Sequence, residues 1–216
     1  SHSTFVFAGL TLCSSAVCFW TAWALMPGVG VTDAATILTL VGAHPTRVVV
    51  SAALQLASAA LLALAIPGLS SRFASSKWGR AAAALLAVGA CGDAADAIYH
   101  QLAYEMTRPG VDQAAMLPVM QRMQSVDLLF LAPLILAFFL GCISLAIAGK
   151  RLGIVSGWNP ALYSLCLPVM SLDSPFGLSP RMRGLAFLGF LSLSLIWIGA
   201  AVCVTRSEDA RAHAQS

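Results

Sequence analysis

Two aspartates and a histidine share one side of an otherwise apolar stretch, CGDAADAIYHQLAYEM, at residues 91–106. A helix turns about 100° per residue, which brings Gly89, Asp93, Asp96, His100 and Tyr104 within an arc of roughly 80°. The opposite face is mostly Ala and Leu, suited to lipid or to packing. Such a stripe holds the parts of acid–base chemistry. Two carboxyls one turn apart can share a proton, one serving as acid while its neighbour stays ionised. An imidazole further along the stripe can relay protons to the surface. An acid beside Trp and Tyr rings suits protonation of an alkene or epoxide, because ring faces stabilise a developing cation.

The surrounding chain must place that stripe inside a bilayer. Hydrophobic residues make up 59% of the 216 positions and charged ones 10%, against about 25% charged in soluble domains. Windows 4–26, 48–71, 128–149, 152–172 and 184–205 contain no Asp, Glu, Lys or Arg, and each approaches or exceeds the roughly 20 apolar residues that cross a hydrocarbon core. The stripe belongs to a sixth window, 81–104. The expected fold is an all-α membrane protein, one transmembrane domain over 1–216 with spans at about 4–26, 48–68, 81–104, 126–149, 155–172 and 184–205. The first span reads as a retained helix, since it lacks a basic leader and exceeds the apolar run of a signal peptide, about 7–15 residues.

Flanking basic residues set an orientation. Arg72, Lys77, Arg80, Lys150, Arg151, Arg206 and Arg211 fall on one side, and Arg47, Arg108, Arg122, Arg181 and Arg183 on the other. The richer side is the inner one, which puts both termini in the cytoplasm. Each residue rises about 1.5 Å, so Asp93 lies about 15 Å below the outer boundary, Asp96 about 10 Å and His100 about 4 Å. An ionisable group at such depth is costly and marks a functional site by default.

Partners at matching depth come from neighbouring spans. Arg47, Ser51, Gln55 and Ser58 recur on one face of the second span. Trp20 and Trp23 close the first span, and Asp127 opens the fourth after Gln121 and Gln124. These residues predict an outward-opening polar pocket between the second, third and fourth spans, roofed by the 107–125 connection. The sequence reading is a membrane-embedded enzyme for acid–base isomerisation or cyclisation of a lipophilic, isoprenoid-like substrate. Asp93, Asp96 and His100 are its candidate catalytic residues, and Arg47, Gln55, Trp20, Trp23, Tyr104 and Asp127 its candidate substrate contacts. A small proton-coupled transporter or a structural membrane subunit are the alternatives. The expected partner is a membrane lipid or lipophilic small molecule, with a homo-oligomer open.

Other chemistry finds less support. Asp93, Asp96 and His100 with Asp127 offer oxygen and nitrogen ligands, but three ligands from one helix make an awkward metal site. Met116, Met120 and Met123 can be soft ligands for Cu(I), or more simply the apolar face of an amphipathic helix on the membrane. No cofactor or metal is expected. The six cysteines form no CxxC pair and read as small packing residues. No GxSxG, GxGxxG or Walker motif is present, and no basic–aromatic patch suggests nucleic acid.

Two stretches, DAATILTLVGAHPTRVVVSAALQLASAALLALA and GKRLGIVSGWNPALY, resemble uncharacterised six-helix bacterial integral membrane proteins. That resemblance implies a six-span layout in a bacterial-type inner membrane and carries no activity with it.

Overall fold

The computed structural model describes residues 2–171 and 178–214. Its helices are α1 (His2–Leu25), α2 (Ala34–Ala43), α3 (Pro45–Arg72), α4 (Lys77–Glu105), α5 (Gln113–Arg151), α6 (Trp158–Ser171) and α7 (Pro180–Ala214). Five segments are long and apolar enough to cross a bilayer: Ser3–Leu25, Pro45–Arg72, Lys77–Glu105, Leu129–Arg151 and Pro180–Val204. By length and composition the chain is a multi-pass membrane protein. The predicted span at 155–172 is represented by α6, whose 14 residues rise about 21 Å, short of a core of about 30 Å.

Helix ends gather at two poles. At one, Arg72 closes α3 with its guanidinium 6.0 Å from the Phe5 ring of α1, and Arg151 closes α5 at 5.8 Å from the Trp78 ring of α4. At the other, Arg181 in the first turn of α7 donates to carbonyls at the end of α1 and in the turn that follows it. It reaches Ala24 O at 2.8 Å, Met26 O at 3.0 Å and Pro27 O at 3.1 Å. A helix leaves its final carbonyls unpaired, and the arginine fork satisfies one of them, Ala24 O, together with two carbonyls of the turn that follows. The turn after α1 packs close against this corner. Gly30 takes φ +80°, and a Cβ there would stand 2.8 Å from the Pro180 carbonyl carbon.

The second pole carries a cap that the sequence reading did not foresee. The chain after Pro27 forms α2, whose start Asp33 accepts from Thr36 N at 2.8 Å and Thr36 Oγ1 at 2.6 Å. Asp112 likewise opens α5, accepting from Ala114 N at 2.9 Å. The predicted 107–125 connection is therefore largely helix. With 39 residues, α5 is about 58 Å long, so its first turns extend beyond a core of about 30 Å. Met120 is fully buried there with Leu38, Val41, Val48, Ala103 and Met106, and Met116 and Met123 pack against the same cluster. These methionines fill protein interior rather than facing lipid.

Below the cap the bundle is close-packed. Gly89 and Gly92 let α4 approach α5 at backbone distance: a Cβ on Gly89 would fall 2.6 Å from Phe138 Cα, and one on Gly92 2.8 Å from Leu134 Cβ. Small residues at helix crossings do this in membranes, where van der Waals packing drives association. Toward the first pole the interior is mainly apolar, built from Leu12, Leu62, Leu69, Leu86, Cys142 and Leu145, with Asn159 and Ser194 buried and bonded to each other.

Candidate functional site

The polar stripe of α4 meets α3 near the middle of the bundle. Asp93 lies 16 residues after Lys77 and 12 before Glu105 in α4, about 24 Å and about 18 Å along the axis. Asp93 and Asp96 are each 7% exposed and Gln55 is fully buried. Gln55 donates from Nε2 to Asp96 Oδ2 at 2.8 Å, and its Oε1 stands 2.9 Å from His100 Nδ1. The direct separation of His100 Nδ1 from Asp96 Oδ2 is 3.7 Å.

This arrangement fixes the imidazole. With Nε2 of Gln55 given to the carboxylate, its Oε1 can only accept, so His100 Nδ1 is the N–H that donates to it. A neutral His100 then keeps its lone pair on Nε2. Two rings hold the imidazole edge to face, Trp23 at 5.6 Å and Tyr99 at 5.8 Å between centroids. Tyr99 is anchored in turn by its hydroxyl, 3.9 Å from Met120 Sδ.

Two cavities adjoin this chain of groups. The outer one, about 390 Å³, is lined by His100, Tyr99 and Trp23 with Ile37 and Val41 of α2 and Gln124 of α5. Its rim includes exposed Gly30 and Thr32. The inner one, about 50 Å³, is lined by Asp93 and Asp96 with Phe19, Trp23, Phe138 and Phe139. Trp23 thus separates the two. Ser58 lies beside the Asp93 carboxyl and also meets Ser15, whose hydroxyl donates to Ser58 O at 2.9 Å. Among the described residues, Asp93 Oδ2 and Trp23 Nε1 are buried without a hydrogen-bond partner.

Several expected site residues take other places. Arg47 is exposed on the first turn of α3, and the ion pairs among the described residues are His100–Asp96 and Arg108–Glu105; Arg47 bridges neither aspartate. Its long side chain starts near the helix end, where water is within reach. Trp20, one turn before Trp23, faces α7 and donates to Leu185 O at 3.3 Å, away from the aspartates. Tyr104 packs against the methionine cluster of the cap, and Tyr99 takes the place expected of it. Asp127 falls within α5, but its side chain lies outside the described residues. The outer cavity is walled by α1, α2, α4 and α5, whereas α3 contributes Gln55 beneath it.

Phe19, Tyr99 and Phe138 were missed by sequence reasoning. Phe19 precedes Trp23 by four residues, one helical turn, and that spacing was the available signal. Among the described residues no group of three His, Cys, Asp or Glu side chains is placed to hold a metal ion. No protein family, curated protein or solved structure matches this chain.

Proposed function

We propose that the chain is a membrane-embedded acid–base enzyme with six crossings, whose outer cavity receives a small lipophilic substrate at His100. The six-crossing reading follows from the poles: α5 ends at one and α7 begins at the other, so the chain between them crosses despite the short α6. Both termini then share the inner side, and the site opens outward.

The carrying observation is the bond sequence Asp96–Gln55–His100. It turns His100 Nε2 into a base and leaves a carboxylate 3.7 Å from Nδ1 to stabilise the imidazolium formed when Nε2 takes a proton. Returning that proton to a different carbon of the substrate gives an isomerisation, with no net change in atoms. A cavity of about 390 Å³ lies within the usual range for small-molecule sites, about 300–1,000 Å³. The inner cavity, at about 50 Å³, has room for a water-sized group and not for an isoprenoid ring. Cyclisation directly at Asp93 is accordingly the weaker reading, and Asp93 serves as a buried proton store behind His100.

One-sided access favours an enzyme over a transporter. The polar groups reach the second pole through His100, while the half of the bundle beyond Asp93 is packed mainly with Leu12, Leu62, Leu86 and Leu145, and its fully buried Asn159 and Ser194 bond each other.

Deuterium labelling tests the reading. The protein in lipid nanodiscs is incubated with a bacterial lipid extract in D2O, and lipids are analysed by mass spectrometry. Wild-type protein is expected to place deuterium on carbon in one lipid class, with His100→Ala slowing this by about 100-fold or more, as loss of an acid–base group does. Labelling no faster than in protein-free nanodiscs would overturn it.

A further inference from the structure

A separate groove of about 510 Å³ runs between α3 and α4 at the pole marked by Arg72 and Arg151, lined by Ile66, Ser70 and Ala74 and by Arg80, Ala83 and Ala84. Its chemistry changes with depth. Ile66 lies six residues before Arg72, the last of α3, and Ala84 seven after Lys77, the first of α4. These separations put the two residues about 9 Å and about 10 Å in from the helix ends, and there the groove is apolar. Ser70 and Arg80 lie nearer the ends and make its mouth polar.

The charge belongs to the groove and is accessible. Arg80 is exposed, and its Nη1 donates to Ala74 O at 2.8 Å. Both residues line the groove, so this bond holds the guanidinium at the mouth. The carbonyl takes one donor and leaves the rest of the fork for an anion. Lys77 precedes Arg80 by three residues and shares its face of α4. Among the described side chains no carboxylate lies at this pole, and the ion pairs His100–Asp96 and Arg108–Glu105 are elsewhere.

A cationic mouth at the membrane boundary, leading to an apolar trough within it, matches a phospholipid: phosphate at the interface, chains running inward. We infer that the α3–α4 groove binds a phospholipid with an anionic headgroup, its phosphate held by Arg80 and one acyl chain laid over Ile66, Ala83 and Ala84. A guanidinium fork suits phosphate oxygens, and neighbouring cations at a membrane surface favour acidic lipids. The inference rests on the membrane placement of the helices and not on the chemistry of His100.

Photo-crosslinking tests it. Protein in phosphatidylcholine nanodiscs is labelled with a phosphatidylglycerol whose acyl chain carries a diazirine, and unlabelled phosphatidylglycerol or phosphatidylethanolamine competes for the site. Labelling is expected on the 66–74 and 80–84 stretches, with the anionic lipid competing about fivefold better, the share of one cation near a membrane surface. Arg80→Gln is expected to remove most of that preference while labelling persists. Ala84→Phe, at an exposed position, fills the trough and removes the labelling. Equal competition by the two lipids on wild-type protein, a preference that survives Arg80→Gln, or labelling spread evenly over all lipid-facing helices would overturn the inference. So would displacement of the label by soluble glycerol phosphate, which has no chain to fill the trough.

Discussion

Gln55 donates from Nε2 to Asp96 Oδ2 at 2.8 Å, and the orientation this forces on one amide decides the chemistry of a third side chain. Its oxygen is left to accept from His100 Nδ1, which leaves the ring lone pair on Nε2, the atom that the proposed reading makes the base. A carboxylate acts on the histidine through an amide lying between them, in the middle of an apolar bundle.

Asp93 separates a functional from a structural role. Its Oδ2 is buried without a partner among the described residues and borders a cavity of about 50 Å³. An unpaired buried polar group costs about 1–3 kcal/mol. Asp93→Leu, which removes the group and fills the space, is therefore expected to raise stability by about 1–2 kcal/mol while lowering deuterium exchange into substrate. Thermal unfolding of the detergent-solubilised protein checks this; a loss of stability means the carboxyl holds helices together.

Arg181 is expected to behave in the opposite way. Its guanidinium satisfies Ala24 O of α1 and two carbonyls of the turn that follows, and hydrogen bonds to a charged group contribute about 1.5–3 kcal/mol each at most. Arg181→Met, which keeps the stem and removes the donors, should destabilise by about 2 kcal/mol after discounting for partial exposure. Arg181→Lys should recover part of that. Unfolding midpoints report both.

The polar stripe was legible in the sequence because helical phase alone places Asp93, Asp96 and His100 on one face, and the same arithmetic brings Gln55 to it from α3. What phase does not specify is which neighbour each face meets. Trp20 and Trp23 are three residues apart, yet one lies across α7 and the other against His100. Arg47 shares the face of Gln55, but a long cation near a helix end reaches water more cheaply than a buried carboxylate. The cap was hidden for a different reason. With 10 residues, α2 is too short to register as a span, and Pro118 inside α5 reads locally as a break.

The cap also carries a pH dependence of known sign. The Thr36 hydroxyl and amide both donate to Asp33 and hold its carboxyl below the ordinary carboxylate range. A depressed folded value contributes stability above the unfolded one and loses it as pH falls through the folded one. The start of α2 is thus intact at neutral pH and loosens only in acid below about pH 4. Following the Thr36 amide by NMR should show this. Asp33→Asn keeps an acceptor at the same position and should make the resonance insensitive to acid.

The ¹⁵N spectrum of His100 tests the central claim most directly. In protein labelled at the histidine ring nitrogens and held where the imidazole is neutral, Nδ1 should be pyrrole-like, carrying the proton, and Nε2 pyridine-like. Gln55→Leu should erase that preference. A pyridine-like Nδ1 in the wild-type protein would contradict the account, because His100 would then offer an N–H rather than a lone pair to the outer cavity.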